Sequence, residues 1–307
     1  MSDRIPFRVQ PMLATLVREP FHNSGWLYEE KYDGYRLLAY KEGSRVTLLS
    51  RNAKDRTGTF GEIAQAVAAL APRTLLLDGE VVAFDRRGVS RFQLLQNLQT
   101  ASRFAVFDCL YSDGTDLRRK PLADRRAALE KAVQPRHRAI LLAARIADNG
   151  LKAYETAQRK GLEGVLAKDA SSPYVEGRSR YWLKFKVHQE DEFVVAGYTA
   201  PDGSRQHFGA LLLGAYDRDK LVYVGKVGTG FTHKSLAELY QTFQPLVRSK
   251  PALVDPPRER GVTYLAPRLV AQISYSELTA DRKLRQPVFL GLRDDKRARD
   301  VTMPGIQ

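Results

Sequence analysis

The chain has 307 residues, 43% hydrophobic and 27% charged, which excludes a disordered polymer and leaves room for two packed domains. Its formal net charge of +14 points to a polyanionic partner, nucleic acid first and an anionic membrane surface second. The single cysteine, Cys109, excludes an internal disulfide and a cysteine-rich zinc site, and the five histidines are scattered without metal-ligand spacing. No apolar run approaches the length of a membrane span, and MSDRIPFRVQ lacks the apolar centre of a signal peptide. A cytoplasmic, nucleic-acid-facing protein is therefore expected.

In chain order, EEKYDGYR at 29–36 carries the first of four Asp-Gly pairs; the others are Asp78-Gly79, Asp113-Gly114 and Asp202-Gly203. A hairpin turn is the ordinary reading of such a pair. YRLLAYKEGSRVTLLS predicts two strands joined at Glu42-Gly43, and GEIAQAVAAL a helix through Ile63, Val67 and Leu70. RTLLLDGEVVAF predicts a strand pair or a strand crossing a turn. SRFAVFDCLY reads as a buried strand, which makes Cys109 a core thiol. PLADRRAALEKAV is a helix with Pro121 in its first turn, and GLKAYETAQRKG a helix stopped by Gly161. LEGVLAKD and RYWLKFK are strands.

After about residue 188 the pattern turns β-rich: EFVVAGYTA, GALLLGAY, KLVYVGKV and YLAPRLVAQISYSEL, interrupted by one helix, HKSLAELYQTFQPLV. KPALVDPPRERG reads as a loop. Short strands plus one helix fit a small barrel such as an OB-fold. The expected organisation is a first domain over 1–188 and a second over 189–307.

KxDGxR at 31–36 fixes four positions, and the motifs downstream give it meaning. SRN at 50–52, LDGEVV at 77–82, FAVFD at 104–108, EGVLAK at 163–168, WLKFK at 182–186 and LRDDK at 292–296 occur in the order found in one family. With EKYDGYR, these motifs resemble the ATP-dependent DNA ligases, members of the covalent nucleotidyltransferases, and most of all the compact ligase module of bacterial non-homologous end-joining enzymes. The resemblance covers nearly the whole chain. It implies an α+β fold: a nucleotidyltransferase (ATP-grasp-like adenylation) domain of antiparallel sheets and helices, followed by an OB-fold β-barrel.

The same resemblance implies a chemistry. Lys31 attacks the α-phosphate of ATP, and the lysine–AMP then activates a DNA 5′-phosphate. A free lysine has a pKa of about 10.4, so neighbouring positive charge and a bound divalent metal, Mg or Mn, are expected to depress it. Lys184 and Lys186 alternate along a strand and so share one face, towards the α-phosphate. Glu29 is expected to recognise adenine and Phe107 to stack on it, although Phe107 also suits the core. Arg36 and Arg51 are expected at the sugar or the DNA end, Glu80 at the ribose and near the metal, and Arg178 at ATP. Glu163 is the expected metal ligand. Asp33 is expected to orient the motif loop, while Asp78 reads equally as a turn residue. Arg293, Asp295 and Lys296 would belong to a barrel element that swings over ATP and orients pyrophosphate, about a hinge between Lys186 and Glu192.

Only some 30 residues precede Lys31, so no separate DNA-binding domain is expected there, nor is there room for polymerase or phosphoesterase domains. Asp169 stands where a basic residue is expected. The expected partners are nicked or broken duplex DNA and the Ku end-binding protein, with the chain a monomer. Two alternatives stay open: an RNA ligase or capping-type transferase, and a non-catalytic DNA-end binding module.

Overall fold

The computed structural model describes residues 4–17, 19–96, 101–135, 137–187, 189–203 and 205–303. Contacts divide the chain into two compact units, Met1–Val187 and His188–Gln307. In the first unit the strands are β1 (Met12–Leu16), β2 (Trp26–Glu30), β3 (Tyr35–Glu42), β4 (Arg45–Ser50), β5 (Thr74–Val82), β6 (Arg103–Ser112), β7 (Thr115–Asp116), β8 (Ile140–Leu142), β9 (Arg145–Ala147), β10 (Gly164–Asp169) and β11 (Gly177–Lys186). Four helices join them: α1 (Gly61–Ala68), α2 (Phe92–Gln96), α3 (Leu122–Ala132) and α4 (Gly150–Lys160).

The strands form two sheets. One runs β1-β11-β10-β2-β9; the other runs β4-β3-β5-β6-β7, with β8 also on β6. Most ladders are antiparallel, but β1 on β11 and β8 on β6 are parallel. Met12 and Trp182 of the first sheet and Leu38, Leu76 and Phe107 of the second share one buried cluster, so the two sheets face each other through it. The outer face of the second sheet is covered by α1 and α3, and the outer face of the first by α4. Asn149 caps α4 by accepting from Leu151 N and Lys152 N, and Gly161 ends it in the left-handed conformation.

Three Asp-Gly pairs in this unit do three different things. Asp113-Gly114 makes the expected hairpin between β6 and β7, with φ of 41° and 88°. Asp78-Gly79 is no turn: it lies inside β5, which pairs with β3 on one side and β6 on the other. Asp33-Gly34 is a close approach, because a Cβ on Gly34 would collide with the Val81 carbonyl oxygen. Asp33 Oδ2 accepts from Phe92 N at 2.9 Å and Asp33 N donates to Ser90 Oγ at 3.1 Å, which ties the Lys31 loop to α2. Cys109 is buried, and burial pushes its thiol up to about 12.

In the second unit β12 (Gln189–Thr199), β13 (Leu211–Asp217), β14 (Lys220–Val227), α5 (His233–Phe243), β15 (Val247–Arg248), β16 (Leu253–Val254), β17 (Val262–Tyr275), β18 (Glu277–Leu278), β19 (Leu284–Arg285) and β20 (Val288–Arg293) follow in order. The path β20-β17-β12-β13-β14 is a five-stranded ladder. Its two ends meet in one bridge, Thr229 with Val288, so the sheet curls into an incompletely closed barrel. Helix α5 carries a Thr232–Ser235 capping box and packs Leu236, Leu239 and Phe243 into the same core. The Pro-rich stretch read as a loop contains β16, which pairs in parallel with β14. Among the described residues no helix is long and apolar enough to cross a membrane.

Candidate active site

Lys31 follows β2 directly, and its backbone N–H donates to the Gly164 carbonyl at 3.1 Å. This bond fixes the lysine beside the first residue of β10. Its Nζ is ion-paired with Glu163 Oε1. The other oxygen, Glu163 Oε2, is buried and accepts no hydrogen bond. Burial pulls the Lys31 pKa down, but Glu163, with Asp33 and Glu80 behind it, pulls harder and leaves it above its ordinary value. The expected depression by neighbouring positive charge is therefore not the state of this site: the charges acting on Lys31 here are acidic, and they favour the ammonium.

Strand register explains which residues join it. Leu166 lies opposite both Glu29 and Lys184, and Gly164 lies opposite Lys186. Directly paired residues project to the same face, so Glu29, Lys184, Lys186 and Trp182 stand on the side that looks at the second sheet. Glu30 is on the reverse face, where burial, opposed by Lys160, pushes its carboxyl up to about 7. Two neighbouring acids thus differ wholly in environment. Glu29 is 1% exposed, with Lys168 Nζ 2.6 Å from one oxygen and Arg126 Nη1 2.6 Å from the other.

The second sheet supplies Arg36, Glu80 and Phe107. Arg36 and Glu80 are paired neighbours on β3 and β5. Arg36 is turned inward: it grips Asp78 with two bonds of 2.5 and 2.6 Å and donates to the Met12 carbonyl at 3.2 Å. Tyr174 donates to the same carboxylate at 2.6 Å. Asp78 is therefore an anchor for Arg36, not a turn residue. Phe107 is 3% exposed; Arg36 lies 4.6 Å above its ring and Trp182 meets it edge-on at 5.9 Å. In this structure Phe107 is part of the buried cluster between the two sheets. Arg178 donates to the Ala14 carbonyl at 2.9 Å, and burial together with the nearby charge of Arg51 lowers its pKa. Two like charges held close suit an anion.

In the second unit Arg293 is 9% exposed and is engaged internally, with two bonds to Asp295 at 2.8 and 2.9 Å and one to Gln272 Oε1 at 2.9 Å. Burial opposes the Asp295 charge, but Arg293 wins and holds its carboxyl below the usual range. Lys296 Nζ lies 3.0 Å from Glu192 Oε1.

Lys168, Arg126, Tyr174 and the fully buried pair Asp108–Arg125 escaped sequence reasoning. One signal was present. Asp108 sits in the apolar run FAVFDCLY, and a charge on a buried strand requires a partner. The adjacent arginines of ADRRAALE, on a helix facing that strand, supply it.

Comparison with known proteins bears on both units. Residues 11–186 match the model of the ATP dependent DNA ligase domain, and residues 204–296 match that of the ATP dependent DNA ligase C terminal region. The chain is 42% identical over 310 residues to the multifunctional non-homologous end joining protein LigD of Pseudomonas aeruginosa, covering 97% of this chain and 37% of that protein. It is 34% identical to a DNA ligase of Thermococcus fumicolans, covering 94% of this chain and 56% of that one. A solved mycobacterial DNA ligase D complexed with ATP and MES superposes with a TM-score of 0.73 at 33% identity, covering 97% of this chain and all of the other. The chain thus spans well under two thirds of the length of these curated relatives.

Proposed function

From the premise that this chain belongs to the ATP-dependent DNA ligase family, we propose that it seals 3′-OH/5′-phosphate breaks in duplex DNA through an adenylate on Lys31. Lys31 Nζ attacks the α-phosphorus of ATP, the bond to the β-phosphate oxygen breaks and pyrophosphate leaves. The DNA 5′-phosphate then takes the AMP from Lys31, and the 3′-OH displaces AMP as the phosphodiester forms. The observation that carries the reading is the Lys31–Glu163 pair, locked by the Lys31 N–H to Gly164 bond on the sheet face that also bears Glu29, Lys184 and Lys186.

Attack requires neutral Lys31, so the grip of Glu163 on its proton must be relieved. Burial, the largest influence on Lys31, then favours the free amine. Lys184 and Lys186 offset charge on the phosphates. Arg51 and Arg178 draw the anionic substrate, while Glu29 and Phe107 hold the base and Glu80 the ribose. Arg36, carried beside Phe107 by Asp78, reaches the sugar or the DNA end. Arg293 and Lys296 of the second domain, 189–307, orient the pyrophosphate in the reaction of the adenylation domain, 1–188, with ATP.

Glu163 Oε2, a buried carboxylate oxygen without a hydrogen bond, suits a divalent cation. Among the described residues no cluster of three acids or histidines offers a full cage, so Glu163, with Glu80 near it, would share the ion with phosphate oxygens and water. When bound, the ion supplies positive charge at the phosphates and offsets the Glu163 carboxylate.

The likeness to non-homologous end joining proteins supports nicked or broken DNA as the substrate, and we propose a cytoplasmic repair setting with Ku as recruiting partner. The decisive experiment is incubation with α-labelled ATP and Mg or Mn, then with nicked duplex. The chain should take up an acid-labile label, and Lys31→Ala should abolish it while the far-UV spectrum is unchanged. Label mapped to another lysine would sink the assignment.

A further inference from the structure

Lys168, at the end of β10, has no exposed surface, yet it makes three contacts that bear on the site. Its Nζ is 2.6 Å from Glu29 Oε2, and it lies over the rings of Phe107 and Trp182 at 4.1 and 4.2 Å. One buried amine therefore touches both residues that the nucleotide reading assigns to the base. Arg126, from α3, completes the arrangement at Glu29 Oε1 and is itself fixed by the carbonyls of Phe107 and Ala143 at 3.4 and 3.1 Å. Its neighbour Arg125 takes no part, being committed to Asp108 with two bonds of 2.8 and 2.9 Å.

Lysine and arginine side chains only donate, so the Glu29 carboxylate between them serves as an acceptor. Arg126 Nη1 and Lys168 Nζ both meet Glu29 as ion pairs outside hydrogen-bond geometry, so they hold the carboxylate in place without taking its lone pairs in aligned hydrogen bonds. Adenine presents an amino donor where guanine presents a carbonyl acceptor. An acceptor fixed at that end of the site welcomes the first and repels the second. Packing alone gives no reason for the triad, since apolar side chains commonly replace buried ion pairs without loss of stability.

We propose that Lys168 and Arg126 are positioning residues that fix Glu29 and Phe107 at the base end of the site and thereby set its preference for adenine over guanine nucleotides. The inference rests on the nucleotide reading of the site. The test compares the parent chain with Lys168→Met and the double variant Glu29→Gln/Lys168→Met. Labelling of Lys31 by α-labelled ATP is followed against ATP concentration and against unlabelled GTP as competitor, with Tm measured alongside. Lys168→Met should raise the ATP concentration for half-maximal labelling by about tenfold or more, and lower the GTP needed to compete, with less effect on the saturated rate. The double variant removes the carboxylate itself and leaves Arg126 buried without its partner, so it should regain neither Tm nor the preference for ATP. A double variant that regains both would reduce the triad to a structural role and overturn the inference. So would label on Lys168→Met with the parent's ATP preference. Absence of label on the parent chain would instead overturn the nucleotide reading and this inference with it.

Discussion

Glu29 and Glu30 show how a single peptide step decides what a carboxylate does. Glu29 faces the second sheet and is ion-paired with Lys168 and Arg126. Glu30 faces α4, has a buried oxygen without a hydrogen-bond partner, and is opposed only in part by the charge of Lys160. Its carboxyl is pushed up to about 7 from an ordinary 4.5. An acid whose pKa is raised on folding binds more protons in the native than in the unfolded chain between those two values. Stability contributed by this group is therefore full below the unfolded value and is lost as pH rises through the folded one. Glu30→Gln should match the parent in acid and gain on it progressively towards neutrality, levelling off above about pH 7. Tm measured against pH for both chains checks this. A difference that is constant across the range would mean that Glu30 is solvated and not strained. In the sequence only the family motif singled out Glu29 within EEK, and the register of β2 against β10 is what assigns the two acids to opposite faces.

At the scale of elements, β5 is the informative case. LLLDGEVV carries a turn signal at its centre, yet it runs unbroken because β3 and β6 both pair with it and satisfy its backbone. Tertiary pairing overrode the local signal, and a bulge at Asp78/Gly79 is what remains of it. The side chain then takes on a load: Asp78 is fully buried, holds Arg36 and accepts from Tyr174 of the β10–β11 connection. Asp78→Ala leaves the Arg36 charge buried without its carboxylate, and should cost about 3–5 kcal/mol in denaturant unfolding. Tyr174→Phe removes the hydrogen bond to the Asp78 carboxylate and leaves the buried Met12 N–H without its acceptor, and should cost at least about 1.5–3 kcal/mol. Equal and negligible losses would show that Arg36 finds another partner. Element order along the chain was otherwise legible, from the helix at 61–68 to the strands at 164–169 and 177–186. So was the motif set. The cross-strand ion pairs were not, because nothing local ties Glu29 to Lys168, or Asp78 to Arg36 and Tyr174. The short strand β16 was hidden for the same reason: Leu253-Val254 is a strand only because β14 lies beside it.

At the scale of the molecule the charge is unevenly shared. Residues 1–187 hold 32 of the 49 Lys and Arg against 21 of the 35 acids, and residues 188–307 hold 17 against 14, so the surpluses are +11 and +3. Buried pairs in the first unit such as Asp108–Arg125, Asp78–Arg36 and Glu29 with Lys168 and Arg126 take up bases along with acids, so most of the surplus lies outside them. Exposed basic side chains there are left to meet phosphates. If Lys and Arg contacts to the DNA backbone supply the grip, binding releases counterions, and the loss with salt scales with the number of phosphates neutralised. About six such contacts would cost about a thousandfold between 50 and 200 mM salt. Adenylation uses a small substrate in an enclosed site, so it should decline far less. Two salt titrations separate these terms: lysine–AMP formation from ATP, and sealing of nicked duplex at limiting DNA by enzyme that already carries AMP. Sealing should fall steeply while adenylation changes little. Parallel decline of the two would place the salt effect in the nucleotide site. Sealing that persists at high salt would mean that shape and apolar contacts, not the basic surplus of the first unit, hold the duplex.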